Sequence, residues 1–99
     1  MRPEALQGVP DAYAVRVHDT SMSPALEPGW LLFVDPHRPA VAGDTVVVQL
    51  EDGSAYVKRL VRRTDKAVLC RQFNPEKEVR YDPAVTTLHK VVLISPVDL

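Results

Sequence analysis

Apolar positions in this chain fall into short runs separated by prolines, glycines and charged residues. The runs are rich in Val, Ile, Leu, Tyr and Phe, which favour strands, and each is too brief for a stable helix. They cover residues 12–18, 30–35, 45–50, 55–61, 67–73, 78–81 and 88–94. Nine prolines shorten any regular element further, because proline cannot donate a backbone hydrogen bond. The pattern predicts an all-β domain of about seven short strands with little helix, arranged as a sandwich or a partly closed barrel.

The sharpest local signal is a turn at residues 51–54, Glu-Asp-Gly-Ser, between two of these runs. Asp52 and Gly53 suit the positive φ angles of a tight antiparallel turn, so a hairpin is predicted there. Residues 1–10 contain two prolines and little periodicity, which indicates a linker or tether end. Residues 11–99 are predicted to form one folded domain, since a chain of 99 residues can bury one core but not comfortably two.

Charge and cysteine content exclude several functional classes. The 12 basic and 13 acidic side chains nearly cancel, so no overall field attracts nucleic acid or an anionic membrane, and DNA binding must come from another domain. One cysteine cannot form an internal disulfide, and the spacing of Cys and His supports neither a metal site nor another cofactor. The apolar segments are too short to span a membrane. We therefore expect a cytoplasmic protein without membrane contact.

Lys58 lies in a strand run, with Tyr56 two positions before it and Leu60 two positions after it. Strand alternation puts the three side chains on one face, so the lysine has apolar neighbours. Burial there penalises the ammonium and lowers its pKa, which is what a general base near neutral pH requires. On the pattern alone, the commoner alternative is a lysine whose stem packs while its ammonium reaches water.

Ser21 belongs to the segment Asp-Thr-Ser-Met-Ser-Pro at residues 19–24, where the chain leaves the first predicted strand. A side chain at such a position can be presented at the rim of a sheet. A serine becomes a nucleophile only beside a base, and serines before turns more often cap or hydrogen-bond the backbone. Ser21 and Lys58 are therefore candidates as a pair rather than singly.

Several linked motifs give the chain a resemblance to a known family. They run in order as Ser21-Met22 with Pro24, Leu26 and Pro28-Gly29, then residues 31–36 (Leu-Leu-Phe-Val-Asp-Pro), Gly43-Asp44, and residues 56–60 (Tyr-Val-Lys-Arg-Leu). In order and spacing this set resembles the C-terminal peptidase domains of LexA, UmuD and lambda-type phage repressors, which share a catalytic core with bacterial signal peptidases. The resemblance covers most of the chain.

The resemblance implies a LexA and signal-peptidase-like β fold and a serine endopeptidase with a Ser-Lys dyad. Ser21 is then the nucleophile, Lys58 its general base, and the backbone N–H groups of Thr20 and Ser21 form the oxyanion hole. Family members dimerise through this domain, and many cut their own chain. The resemblance thus also implies self-cleavage, a homodimer, an upstream helix-turn-helix domain on operator DNA, and the RecA filament of the SOS response as a candidate co-protease.

Two positions depart from the family pattern. Relatives carry Gly and then Asp or Asn directly before the serine, whereas this chain has Asp19 and Thr20. The acidic residue that usually follows Pro-Gly is replaced by Trp30, a large ring that can cover the site, line a cleft or fill the core. Packing in the core is the favoured alternative of the three. The predicted substrate-cleft residues are Met22, Trp30 and Tyr56.

Other constellations carry less weight. His18, Asp19 and Ser21 have a superficial likeness to a triad, but strand alternation points His18 away from the other two. Cys70 is expected to behave as a small buried hydrophobe. A solvated hairpin end is expected for the basic cluster of Arg59, Arg62, Arg63 and Lys66.

Two other functions stay open at this point. The domain could be a non-catalytic dimerisation or sensing module of a helix-turn-helix regulator, which retains Ser21 and Lys58 without using them. A signal-peptidase-like protease is the second alternative, although it needs a membrane anchor that this sequence does not supply. For a repressor domain we expect dimerisation through strand edges near residues 91–94. We expect no self-shortening of the chain, because the family's Ala-Gly or Cys-Gly bond is missing upstream and Gln7-Gly8 is a poor substitute.

Overall fold

The computed structural model describes residues 8–96, which fold into seven strands and one short helical turn. The strands are β1 (Tyr13–Arg16), β2 (Leu31–Asp35), β3 (Thr45–Leu50), β4 (Ala55–Arg63), β5 (Val68–Phe73), β6 (Glu76–Tyr81) and β7 (Thr86–Ser95). A 3-10 helix at Pro83–Val85 precedes β7 and is capped by the Asp82 side chain. The prediction of an all-β domain with little helix is confirmed.

The strands form one antiparallel sheet in the order β1-β2-β7-β3-β4-β5-β6. The two-sheet sandwich, one of the two predicted architectures, is therefore not the one that forms. Strands β1 and β6 lie at the ends of this order, and the last strand in the chain lies between β2 and β3. This long-range insertion of β7 ties the first and second halves of the chain together.

Strand β3 is covered by apolar side chains on both faces of the sheet. Its three consecutive valines, Val46, Val47 and Val48, are all buried, although successive strand residues point to opposite faces. Val47 packs in one apolar cluster with Met22 and Leu32, whereas Val46 and Val48 pack in a second one. β-Branched residues suit such a doubly covered central strand.

A backbone contact shows that the sheet curls on itself. The N–H groups of Phe73 and Asn74, at the end of β5, donate to the carbonyl oxygen of Ser21 over 2.8 and 2.9 Å. Ser21 follows β1, and in a flat sheet five strand spacings from β1 to β5 would be about 24 Å. Only a strongly rolled sheet brings the two together, in keeping with the partly closed barrel that was the other predicted architecture.

The predicted hairpin at residues 51–54 connects β3 to β4 and is confirmed. The Leu50 N–H donates to the Ser54 carbonyl over 2.9 Å, and Gly53 has the left-handed φ of 91° that the turn requires. The resulting register places Lys58 opposite Val46 on the central strand β3. The candidate base Lys58 therefore lies beside the buried valines of the central strand.

The predicted dimer edge, residues 91–94, falls in β7, which has neighbours on both sides in the strand order. The two neighbours nevertheless pair with different halves of β7: β3 with residues 86–90 and β2 with residues 90–95. Within the described residues, the register thus gives 91–95 a strand partner on one side alone. Leu93 and Ile94 in this half are 39% and 38% exposed.

Among residues 8–96 we find no helix with the length and apolar character needed to cross a membrane. Most of the predicted linker, including Gln7, lies outside the described residues.

Candidate active site

Ser21 and Lys58 line the same cleft, which has a volume of about 160 Å³. One wall comes from the end of β1 and the loop after it, with residues 15–19, 21 and 22. The other wall comes from the start of β4, with residues 55–58. The cleft therefore exists because the sheet curls and brings the β1–β2 loop against β4.

Lys58 is buried, with 6% of its surface exposed. Its Nζ donates to the Oε1 atom of Gln72 over 2.9 Å and lies 5.7 Å from the centre of the Tyr56 ring. Burial lowers the pKa of the Lys58 ammonium below its usual value of 10.5, and the negative charge of Asp19 partly opposes this. The ammonium thus lies in the interior rather than in water, which is the environment expected of a general base.

Gln72 is the buried polar partner that the sequence prediction missed. It is 8% exposed, and its Nε2 donates to the Pro75 carbonyl over 3.2 Å. The side chain is thereby held at both ends, so that its oxygen faces Lys58. A signal was present in the sequence, because Gln72 has the same strand phase as the buried residues Val68 and Cys70.

Ser21 is held by Asp19 two residues before it. Its Oγ donates to Asp19 Oδ1 over 2.9 Å and its backbone N–H donates to the same oxygen over 3.1 Å. These two hydrogen bonds, the backbone one foremost, lower the pKa of the Asp19 carboxyl, so it is ionised at neutral pH. In this structure the hydroxyl proton of Ser21 is therefore directed at Asp19.

Of the two backbone N–H groups predicted for the oxyanion hole, that of Ser21 has a hydrogen-bond partner within the loop. The Ser21 N–H donates to Asp19. Thr20 is exposed, and its carbonyl accepts a bond of 3.0 Å from the Ser23 N–H. The loop after β1 turns at residues 21–25, and a donor pair facing one point of the cleft stays a prediction.

The three predicted cleft residues separate into different environments. Met22 lines the cleft while being 2% exposed, so it is also part of the core. Tyr56 lines the cleft and is 45% exposed. Trp30 is not among the residues that line this cleft; it is partly buried and packs against the apolar cluster that contains Met22, so its role in the cleft stays a prediction. Directly before Trp30 the chain turns at Gly29, whose φ is 93°.

Three other candidates are also located. His18 is exposed at the rim of the cleft beside Asp19, and Asp19 rather than His18 bonds Ser21. Cys70 is fully buried, and burial raises the pKa of its thiol to about 11, as a small buried hydrophobe requires. Across residues 8–96, no three His, Cys, Asp or Glu side chains are close enough together to hold a metal ion.

The predicted basic cluster divides by exposure. Arg62, Arg63 and Lys66 are exposed near the β4–β5 turn. Arg59 is half-buried, with its guanidinium carbon 5.1 Å from the centre of the Phe73 ring. The exposed members match the solvated hairpin end that was expected, whereas Arg59 packs against the end of β5.

A family model described as Peptidase S24-like matches residues 2–92 of the chain. The chain belongs to the Peptidase S24-like family. Repressor protein C of Rhizobium phage 16-3 is similar to this S24-like domain, with 34% identity over 100 residues. The match covers 92% of the chain but 38% of the phage protein. The S24-like domain thus spans well under half the length of that relative, and the predicted resemblance to phage-repressor peptidase domains is confirmed.

The S24-like cleft contains a serine and a buried lysine, the two groups that the sequence motifs singled out, and each has a different partner. Ser21 bonds Asp19, and Lys58 bonds Gln72. A buried amine with a lowered pKa can accept a proton from a nearby hydroxyl once it is neutral. The two side chains therefore line one cleft, and the hydrogen-bonding group of each is engaged by another partner.

Proposed function

We propose that this S24-like domain is the C-terminal part of a bacterial or phage transcriptional repressor and acts as a serine-lysine endopeptidase. The observation that carries the proposal is the burial of Lys58 in the cleft that Ser21 lines. An exposed lysine stays protonated at neutral pH, whereas a desolvated lysine has a neutral fraction that can serve as base.

In the proposed reaction, neutral Lys58 accepts the proton of the Ser21 hydroxyl as Oγ attacks the carbonyl carbon of a peptide bond. The new Oγ–C bond gives a tetrahedral oxyanion, and its collapse breaks the C–N bond. Lys58 then returns the proton to the leaving amine. Water hydrolyses the acyl-serine with Lys58 again as base, which releases the carboxyl product and restores the hydroxyl.

A fluorophosphonate probe tests whether Ser21 is activated. Reaction forms an Oγ–P bond and expels fluoride, while the hydroxyl proton passes to Lys58. Wild type should label, with a rate that rises with pH as Lys58 loses its proton, whereas Ser21→Ala, Lys58→Ala and Lys58→Arg should stay unlabelled. Arginine keeps a positive charge but cannot become a neutral base. Equal labelling of Lys58→Arg and wild type would contradict the proposal.

The natural substrate in this proposal is a linker of the repressor's own chain, with the cut at an Ala-Gly or Cys-Gly bond. The repressor name of the phage 16-3 relative supports the assignment to a DNA-binding regulator. An upstream helix-turn-helix domain would bind operator DNA in the cytoplasm, and the RecA filament would be the inducing co-protease. A linker peptide supplied to the domain, analysed by mass spectrometry, tests the bond. A Gly→Pro change after the scissile residue is the matched uncleavable control.

Dimerisation is the second proposed role, and the half-paired end of β7 favours it. Residues 91–95 pair with β2 on one side, and the exposed Leu93 and Ile94 add apolar surface beside the open edge. An open edge with apolar side chains readily pairs with another strand. Sedimentation from micromolar concentration upward should show a dimer that Leu93→Lys or Ile94→Lys weakens. Val41→Lys, at a residue 62% exposed elsewhere, is the control. A wild-type monomer at all concentrations would contradict this role.

A non-catalytic dimerisation or sensing domain is the competing function, and the bond from Ser21 to Asp19 favours it. In that case wild type should bind its partner copy yet remain unlabelled by the probe at every pH. The labelling experiment therefore separates the two functions.

A further inference from the structure

Asp19 is a charged group of the cleft to which the proposed reaction assigns no role. One of its oxygens, Oδ1, accepts hydrogen bonds from both the hydroxyl and the backbone N–H of Ser21. Acyl transfer needs these same two groups, because the hydroxyl proton must reach the base and the N–H would donate to the oxyanion. Asp19 therefore engages the nucleophile at both points that the reaction uses.

A second Asp-x-Ser segment in the chain shows how this contact arises. In the β3–β4 turn, Asp52 Oδ1 accepts from the Ser54 N–H over 2.9 Å and from the Ser54 Oγ over 2.5 Å. That turn is solvent-exposed, so the local sequence alone is enough to produce the double hydrogen bond. The same contact at Ser21 is thus built into the residues before the nucleophile and does not depend on the cleft.

The charge of Asp19 acts against the reaction as well. A carboxylate beside the Ser21 N–H is placed where negative charge would develop on the substrate, and like charges repel. Its field also favours the charged form of Lys58, whereas burial of Lys58 and the charge of Lys77 favour the neutral form. The titratable groups that face Asp19 are Lys58 and His18. Gln72, the Tyr56 ring and the thiol of Cys70 also lie near Lys58, and the thiol favours its charged form once ionised.

We infer that Asp19 is a positioning residue that restrains this peptidase: it holds the Ser21 hydroxyl and N–H out of the reaction until its carboxylate is displaced. The inference rests on the proposed function and adds a restraint that the local sequence supplies. A substrate carbonyl entering the cleft must compete with Asp19 for the Ser21 N–H. Replacement of Asp19 should consequently make Ser21 more reactive rather than less.

The test compares Asp19→Ala, Asp19→Asn and the matched control Asp52→Ala with wild type. Second-order labelling rates with the fluorophosphonate are measured from pH 6 to 11, with Ser21→Ala as the blank. Asp19→Ala should label on the order of tenfold faster than wild type at pH 8, with its pH midpoint shifted downward. Asp19→Asn keeps an acceptor oxygen without charge, so it should show the downward shift with a smaller gain in rate. Asp52→Ala should match wild type in both respects.

A second readout is independent of activity. The chain has four lysines, so the ¹³Cε signal of Lys58 can be assigned by comparison with Lys58→Arg and titrated by NMR. Its pKa should be lower in Asp19→Ala and Asp19→Asn than in wild type or Asp52→Ala. Circular dichroism establishes that all variants are folded.

The outcomes separate the restraint from the proposed function. Slower or equal labelling of Asp19→Ala overturns the restraint, and complete loss of labelling would show that Asp19 is instead required for the reaction. An unchanged Lys58 pKa overturns the electrostatic part. If no variant labels at any pH while the Lys58 pKa still falls on removal of Asp19, the peptidase function is overturned and the coupling between Asp19 and Lys58 stands.

Discussion

Lys58 on β4 and Gln72 on β5 are joined by a hydrogen bond of 2.9 Å between two buried side chains. The antiparallel β4–β5 register pairs Arg59 with Arg71. Lys58, one residue earlier on β4, therefore lies opposite Gln72, one residue later on β5. A buried ammonium is stable only with acceptors close by. Gln72 therefore stabilises the charged form of Lys58 in the core.

Replacement of Gln72 by Leu should show how far the charged form of Lys58 depends on this hydrogen bond. At pH 7 the ammonium of Lys58 loses its acceptor, and the free energy of unfolding should fall by about 1–3 kcal/mol. The neutral amine is less affected, so the pH midpoint of Ser21 labelling should move downward. Urea denaturation and the labelling profile measure the two effects, with Gln49→Leu on β3 as the control. A Gln72→Leu protein as stable as wild type would mean that the hydrogen bond contributes little.

His89 should make the stability of the domain depend on pH. Its Nδ1 accepts a bond of 2.6 Å from the Tyr13 hydroxyl when the ring is neutral, and burial lowers its pKa below 6.5. The unfolded chain then takes up a proton before the folded chain does. Stability should be lost as the pH falls from about 7 through 6.5 toward the lower folded pKa.

Urea denaturation between pH 7.5 and 5 measures this loss for wild type and for His89→Phe, which cannot titrate. The difference between the two curves isolates His89 from the other titrating groups. Parallel curves would show that His89 does not contribute to the pH dependence.

The turn at Gly53 should tolerate substitution according to its φ of 91°. A Cβ added there meets nothing within 4 Å, so backbone strain alone sets the cost. Gly53→Ala should lower the free energy of unfolding by roughly 1 kcal/mol. Gly53→Asn should cost less, because asparagine adopts left-handed conformations more readily. Equal losses in urea denaturation would argue against strain as the cause.

Cys70 should resist thiol reagents in the native domain. It is fully buried, so a reagent cannot reach it. The pKa of its thiol is raised to about 11, so almost none of the reactive thiolate is present at pH 8. A disulfide reagent such as dithionitrobenzoate should react with one thiol per chain in denaturant and with almost none beforehand. Fast native reaction would indicate frequent opening of β5.

The sequence was sufficient wherever a property depends on local periodicity. Alternation around Lys58 indicated a face shared with Leu60, and the structure buries both. The Asp52-Gly53 turn is similarly local. The extent of β4 was underestimated, because a register shift between Leu60 and Arg62 lets the strand continue to Arg63, and such a bulge has no signature in a run of apolar residues.

The partners of the site residues were harder to predict, for reasons that differ between them. The bond between Lys58 and Gln72 joins residues 14 positions apart, and it depends on the β4–β5 register, which the sequence does not specify. The contact between Asp19 and Ser21 is local and could have been recognised from the Asp-x-Ser pattern. Trp30 was assigned to the cleft from its position in a motif, whereas its packing against the cluster that contains Met22 depends on tertiary contacts that the sequence does not specify.

The bonds from Phe73 and Asn74 to the Ser21 carbonyl fix the position of the nucleophile loop relative to the end of β5. Lys58, Gln72 and this anchor all belong to one hairpin, so the distance from base to nucleophile is set by residue counting along β4 and β5. One residue inserted between Gln72 and Asn74 would slide the Ser21 loop along the cleft by about 3.3 Å, a strand step. One residue inserted at the exposed turn near Lys66 does not fall between Lys58, Gln72 and this anchor as they pair across the hairpin. It would leave the distance from Lys58 to Ser21 unchanged. A change in chain length is thus expected to disturb the cleft when it falls between Gln72 and Asn74, and to leave the cleft unchanged when it falls in the β4–β5 turn.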